Sequence, residues 1–131
     1  MSTTTSTTVT HIGTVVIPVA DVDGAIAFYV DKLGLEKRVD IPFGNGYRWV
    51  EVGPAGAQTT IALAPPPPGK SSGKAETGIC LHTPDIDAYH AQLKERGVDV
   101  DAEISRMGDP VPPMFFFRDQ DNNRFLIVQR S

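Results

Sequence analysis

Three histidines, one cysteine and two carboxylates around a turn are the residues of this chain whose types lend themselves to catalysis: His11, His82, His90, Cys80, Asp119 and Asp121. An imidazole can act as general base or metal ligand near neutral pH, and a thiolate as nucleophile. If residues 78–82 form a strand, alternation puts Gly78, Cys80 and His82 on one face. His82 is then a general base, a donor that anchors a ligand, or a strand-end histidine bonded to the following Thr83-Pro84 turn. His90, with Gln92 and Lys94 close by, reads as solvent-facing. Cys80 has no base or cation near it in sequence and reads as a small buried hydrophobe. His11 reads as a surface or dimer-edge residue, with a place at a cavity mouth as the alternative. Asp119 and Asp121 sit in a polar turn, where such side chains most often bond the local backbone.

Two further groups suit binding. Alternation places Tyr47, Trp49 and Glu51 on one strand face, where the indole either walls a planar ligand or packs under a helix. If the turn after Arg118 pairs that residue with Arg124, then Met114, Phe116, Arg124, Leu126 and Val128 share a face. Such a surface suits an aromatic ligand, with the guanidinium placed for a carboxylate or phosphate. The alternative is that residues 114–117 fill core on both faces.

The elements that must position these residues repeat. Residues 11–19 are β-branched and apolar, and predict a strand. Asp21 follows as a helix N-cap. Val22, Ile26, Val30 and Leu33 then recur at spacings of four, four and three, with Phe28 and Tyr29 beside them and Gly34 as a stop. Strands are predicted over residues 35–41, 47–52 and 59–64, separated by glycine-rich turns. After a Pro-rich, then Gly/Ser-rich linker the order restarts. A strand over 78–82 is followed by Asp85 as a cap, a helix face of Ile86, Tyr89 and Leu93, and a stop at Gly97. Strands over 98–102, 113–118 and 124–128 complete it. Each half therefore reads β-α-β-β-β, an α+β architecture. The predicted organisation is a disordered tail over residues 1–8 and one domain over 9–131, made of module one (9–64), linker (65–77) and module two (78–131). Neither half could bury both faces of a small sheet alone.

Composition narrows the function classes. Hydrophobic residues at 40% and charged residues at 21% fit a soluble globular chain, and 131 residues suffice for one core. A net charge of −4 without a basic stripe argues against nucleic acid as partner. No apolar stretch approaches the ~20 residues of a membrane span. The Ser/Thr-rich start has no apolar segment of the kind a signal peptide needs. A single cysteine permits no intrachain disulfide and suits the cytoplasm.

The stretches 21–35, 85–98 and 117–125 together resemble the two helices and the final hairpin of the vicinal-oxygen-chelate superfamily, which includes glyoxalases, bleomycin resistance proteins and extradiol dioxygenases. Gln120 and Asn123 depart from its commoner Pro and Gly. The resemblance covers nearly the whole chain and implies two βαβββ modules that form a cupped mixed sheet around a cavity. Enzymes of the superfamily hold a divalent metal there with a His/Glu set, and the metal polarises a substrate oxygen. Carried onto this chain, the four ligand positions are Thr14, Ala62, Gly78 and Leu126, none a histidine or carboxylate. The resemblance thus implies a protein without metal or other cofactor that binds a small apolar or aromatic molecule, as drug-sequestering members do. Trp49, His82, Met114, Phe116 and Arg124 are the cavity candidates, and no catalytic residue is assigned. The alternative is a metal-dependent lyase, isomerase or dioxygenase with ligands drawn from His11, Glu51, His82 and His90. Short chains of this superfamily commonly pair, so a homodimer is expected.

Overall fold

The structure, a computed structural model, describes residues 7–42 and 44–130. Of the tail expected to be disordered, residues 1–6 lie outside this range.

Two four-stranded mixed sheets form, one from each half of the chain. The first contains β1 (Thr14–Pro18), β2 (Glu36–Pro42), β3 (Arg48–Gly53) and β4 (Thr60–Ala64), in the spatial order β1-β4-β3-β2. The second contains β5 (Glu76–Thr83), β6 (Asp99–Val100), β7 (Met114–Arg118) and β8 (Arg124–Gln129), in the equivalent order β5-β8-β7-β6. In each half the first strand runs parallel to the last, and the other pairs are antiparallel. The predicted β-α-β-β-β repeat is therefore present in both halves. The strand predicted over 98–102 shrinks to two residues. The one predicted over 11–19 begins only at Thr14, so His11 lies ahead of it, exposed.

Helix α1 (Val22–Ile26) starts where Asp21 accepts from the Gly24 N–H at 3.2 Å. From Ala27 to Lys32 it widens into a π-helix, and the Leu33 N–H reaches back five residues to the Phe28 carbonyl at 3.1 Å. The wider turn changes which side chains face inward. Ala25, Phe28, Tyr29 and Leu33 are buried, whereas Val22, Ile26 and Val30, expected to form the buried stripe, are only half-buried beside them. Helix α2 (Ile86–Glu95) starts where Asp85 accepts from the Ala88 N–H at 3.1 Å. His90, expected to face solvent, is 9% exposed. It stands four residues after Ile86 and three before Leu93, both buried. Its ring meets Phe115 edge-on at 4.7 Å, and its Nε2 lies 2.8 Å from the Asp101 carbonyl oxygen. His90 is thus a core residue whose polar atom is satisfied by backbone.

The inner faces of both sheets and both helices share one core. Val50, Val52, Ile61 and Leu63 contribute from the first sheet, and Phe115, Phe117, Phe125 and Ile127 from the second. Helix 22–32 packs on the second sheet: Phe28 stacks at 6.1 Å from Phe117, and Tyr29 meets Phe125 edge-on at 5.8 Å. Polar contacts close the same joint. Tyr29 donates to Asp119 at 2.6 Å, Tyr89 to the Leu33 carbonyl at 2.7 Å, and Arg96 to the Lys32 carbonyl at 2.8 Å. Because the two halves bury their inner faces together, their outer faces point away from the shared core.

Candidate ligand-binding faces

The outer face of the second sheet follows from its register. Arg118 pairs with Arg124, Phe116 with Leu126 and Met114 with Val128, while Cys80 and His82 stand beside Leu126 and Val128. The hairpin reading therefore holds. Phe115 and Phe117 are buried inward, and Met114, Phe116, Arg124 and Leu126 point outward, half-buried. The turn that sets this register is built on Asp119. Its Oδ1 accepts from the backbone N–H groups of Asp121 (2.9 Å) and Asn123 (2.8 Å), and its Oδ2 from the Asn123 amide (3.0 Å) as well as Tyr29. The local bonds were legible in sequence; the bond to Tyr29 was not. Burial beside the Asp119 carboxylate holds the Tyr29 hydroxyl far above the ordinary tyrosine range.

Arg124 lies flat on this face. Its guanidinium sits 3.9 Å above the Phe116 ring, and Nε is 2.7 Å from Glu76. The cation–π contact extends the aromatic platform, while Glu76 already answers the charge. Arg118, directly across the hairpin from Arg124, is matched by Asp101 at 2.9 Å. Cys80, expected to be buried, is exposed, because it stands beside Leu126 on the outer face of the sheet, away from the shared core. His82 shares that face, as alternation required, and is exposed. It also borders a groove of about 450 Å³ where the β3–β4 turn meets β5, lined by Pro54, Ile61, Ile79 and Cys80 among others. That volume lies within the range of small-molecule sites.

The fifth candidate, Trp49, lies on the other sheet. Its neighbours Val50 and Val52 are buried under helix and sheet, while Trp49 and Glu51 face outward opposite Ile41 and Val39. The first helix therefore does not cover the indole. Trp49 Nε1 donates to Glu51 Oε2 at 2.7 Å, and Thr60 Oγ1 donates to Glu51 Oε1 at 2.7 Å. These two bonds, with the Arg38 charge in the distance, hold the Glu51 carboxyl below its ordinary pKa. Val16, on the same face, is 51% exposed and Ile41 53% exposed. The structure thus gathers four of the five candidates on the second sheet and sets Trp49 on the first.

The four positions at which the superfamily's enzymes carry metal ligands also have definite places. Thr14 and Ala62 lie on the outer face of the first sheet, aligned with Thr60 and Val16. Leu126 lies on the outer face of the second. Gly78 adopts φ +70° at the interruption of the β5–β8 pairing, a conformation that histidine and glutamate rarely hold. These residues do not fit a divalent metal: three have no donor side chain, and at Gly78 the backbone resists one. Among the described residues no group of three or more His, Cys, Asp or Glu side chains is placed to hold an ion. Of the atypical ligand candidates, His11 precedes β1, Glu51 and His82 lie on different sheets, and His90 is in the core. Among the described residues, no helix is long and apolar enough to cross a membrane.

Comparison with known proteins fits this geometry. A sequence profile of the Glyoxalase/Bleomycin resistance protein/Dioxygenase superfamily matches residues 11–127. The uncharacterized protein YetH of Bacillus subtilis (strain 168) is 32% identical over 121 residues, 91% of this chain and 98% of its own. Among solved structures, TnmS3, an antibiotic binding protein from Streptomyces sp. CB03234, is 34% identical with a TM-score of 0.82, covering 96% of this chain and all of its own. A superfamily member from Sphaerobacter thermophilus DSM 20745 is 35% identical with a TM-score of 0.85, covering 93% and 98%.

Proposed function

The chain belongs to the glyoxalase/bleomycin resistance protein/dioxygenase superfamily, and we propose that it binds a small apolar or aromatic molecule in a cavity that uses no metal. The observation that carries this reading is the outer face of the second sheet. Phe116, roofed by Arg124 and flanked by Met114 and Leu126, offers a polarisable surface that stays partly exposed. Trp49, Val16 and Ile41 offer a matching apolar wall on the first sheet. In this reading a second copy completes the cavity. Two chains pair so that each buries its exposed apolar faces and encloses the ligand between sheets, since patches of this kind mark interaction surfaces. The likeness to an antibiotic binding protein supports a drug-like ligand. The cytoplasm is its proposed setting, where the exposed Cys80 thiol stays reduced.

The test is a thermal-stability screen of aromatic antibiotics, bleomycin included, on the intact chain and on Phe116→Ala. Compounds that raise the melting temperature of the intact chain, and lose that effect in the variant, meet the expectation. No stabilisation by any compound at high concentration would sink it.

A further inference from the structure

Charge is balanced unevenly over the two outer faces. On the second sheet, Arg124 is answered by Glu76 and Arg118 by Asp101. On the first, Glu51 stands between Trp49 and Thr60, and no cation pairs with it among the described residues. Arg38, whose charge reaches Glu51, spends its guanidinium on the carbonyls of Pro54 (3.2 Å) and Ala57 (3.0 Å). Glu51 is also held in place. Its two oxygens accept one bond each, from Thr60 and Trp49, at 2.7 Å. A carboxylate has about four acceptor sites, so each oxygen keeps capacity for another donor. The indole that donates to it provides an aromatic surface at the same spot.

From this we infer that Glu51 and Trp49 together recognise a cationic nitrogen, a protonated amine or amidine, carried by the aromatic ligand. This rests on the binding reading above and goes further by fixing the ligand's charge. A fixed, half-buried acceptor with no internal cation offers a charge-assisted hydrogen bond without having to reorganise. The same arrangement repels an anionic ligand, and Arg124, already paired, does little to offset that.

The experiment compares two probes of similar size, naphthylmethylamine and naphthylacetate, by calorimetric titration of the full chain and of Glu51→Gln. The amine binds the natural chain more tightly than the acetate. In Glu51→Gln its affinity falls about tenfold or more, as expected for a hydrogen bond to a charged group, while the acetate is unaffected or improved. Raising the ionic strength weakens the amine alone. Both probes binding, with a preference that Glu51→Gln leaves unchanged, overturns the inference and leaves the binding reading standing. Neither probe binding overturns both. Should the variant fail to fold, the natural chain decides: equal affinities, or an amine affinity indifferent to salt, count against the inference.

Discussion

The Tyr29 hydroxyl donates to Asp119 Oδ2 at 2.6 Å, joining the first helix to the final hairpin ninety positions further along the chain. Both residues are buried, and the carboxylate accepts four hydrogen bonds in all. Tyr29→Phe removes one donor and leaves a buried acceptor short of a partner. The expected loss is about 1–3 kcal/mol, read as a lower denaturant midpoint with an unchanged slope. A loss much smaller than this would mean that water replaces the hydroxyl.

The same contact makes stability sensitive to alkali. Tyrosine in an unfolded chain loses its proton near pH 10. Burial raises Tyr29 far above that value in the folded state, and burial pushes Tyr89 up to about 12. Above pH ~10 the unfolded chain therefore holds fewer protons than the folded one, and stability falls as pH rises. Tyr29 alone contributes a slope of about 1.4 kcal/mol per pH unit. The contribution of Tyr89 ends near pH 12, where its folded form also ionises. Denaturation curves from neutral pH upward should show the decline, and Tyr29→Phe should flatten it.

Phe116 and Phe117 are neighbours with opposite duties. Phe117 is 0% exposed, 5.0 Å from the Phe125 ring and stacked with it. Phe117→Ala is expected to cost about 3–5 kcal/mol and to impair binding only through loss of fold. Phe116→Ala, which removes the surface under Arg124, should leave the unfolding midpoint nearly in place and abolish aromatic binding. Unfolding and calorimetric binding measured on both variants separate the two roles. Equal destabilisation would show that Phe116 is core after all.

These neighbours also show what a sequence makes legible. Alternation from Met114 to Arg118, with the turn at Asp119–Asn123, assigns both strand faces correctly, because a strand's period of two leaves a single choice once the register is known. Cap residues Asp21 and Asp85 were equally plain. The π-turn after Ile26 was not, since it depends on how Phe28 and Tyr29 reach the second sheet. His90 carried a signal that its polar neighbours masked: it falls on the Ile86–Leu93 face by spacing. Cys80 misled because its type suggests burial, and the openness of a sheet face is a property of the assembled halves. The bond from Thr60 to Glu51 joins adjacent strands, and only their register reveals it.

Pairing of two chains is expected from the exposed outer faces. Light scattering at micromolar concentration should give about twice the mass of one chain. Val16→Asp places a charge amid an apolar outer face where the side chain is half exposed, so the single chain tolerates it. A buried interface would not, because an unpaired charge there meets a desolvation penalty. The variant should remain folded and become monomeric. A natural chain that scatters as a monomer would remove the second copy from the proposed cavity.

Metal content decides between the two chemistries open to this fold. Thr14, Ala62, Gly78 and Leu126 lack donors suited to a divalent ion, and φ at Gly78 opposes a side chain there. Protein purified without a histidine tag should therefore hold far less than one ion per chain by mass spectrometry, even after incubation with metal salts. A chelator should leave both the melting temperature and aromatic binding unchanged, whereas a metal-built site would lose stability as its ion is withdrawn. About one tightly held ion per chain would reverse the reading. Glu51 and His82, which lie on the outer faces of different sheets, would then be the first residues to substitute, because a paired assembly is what could bring a carboxylate and an imidazole from those two faces onto one ion.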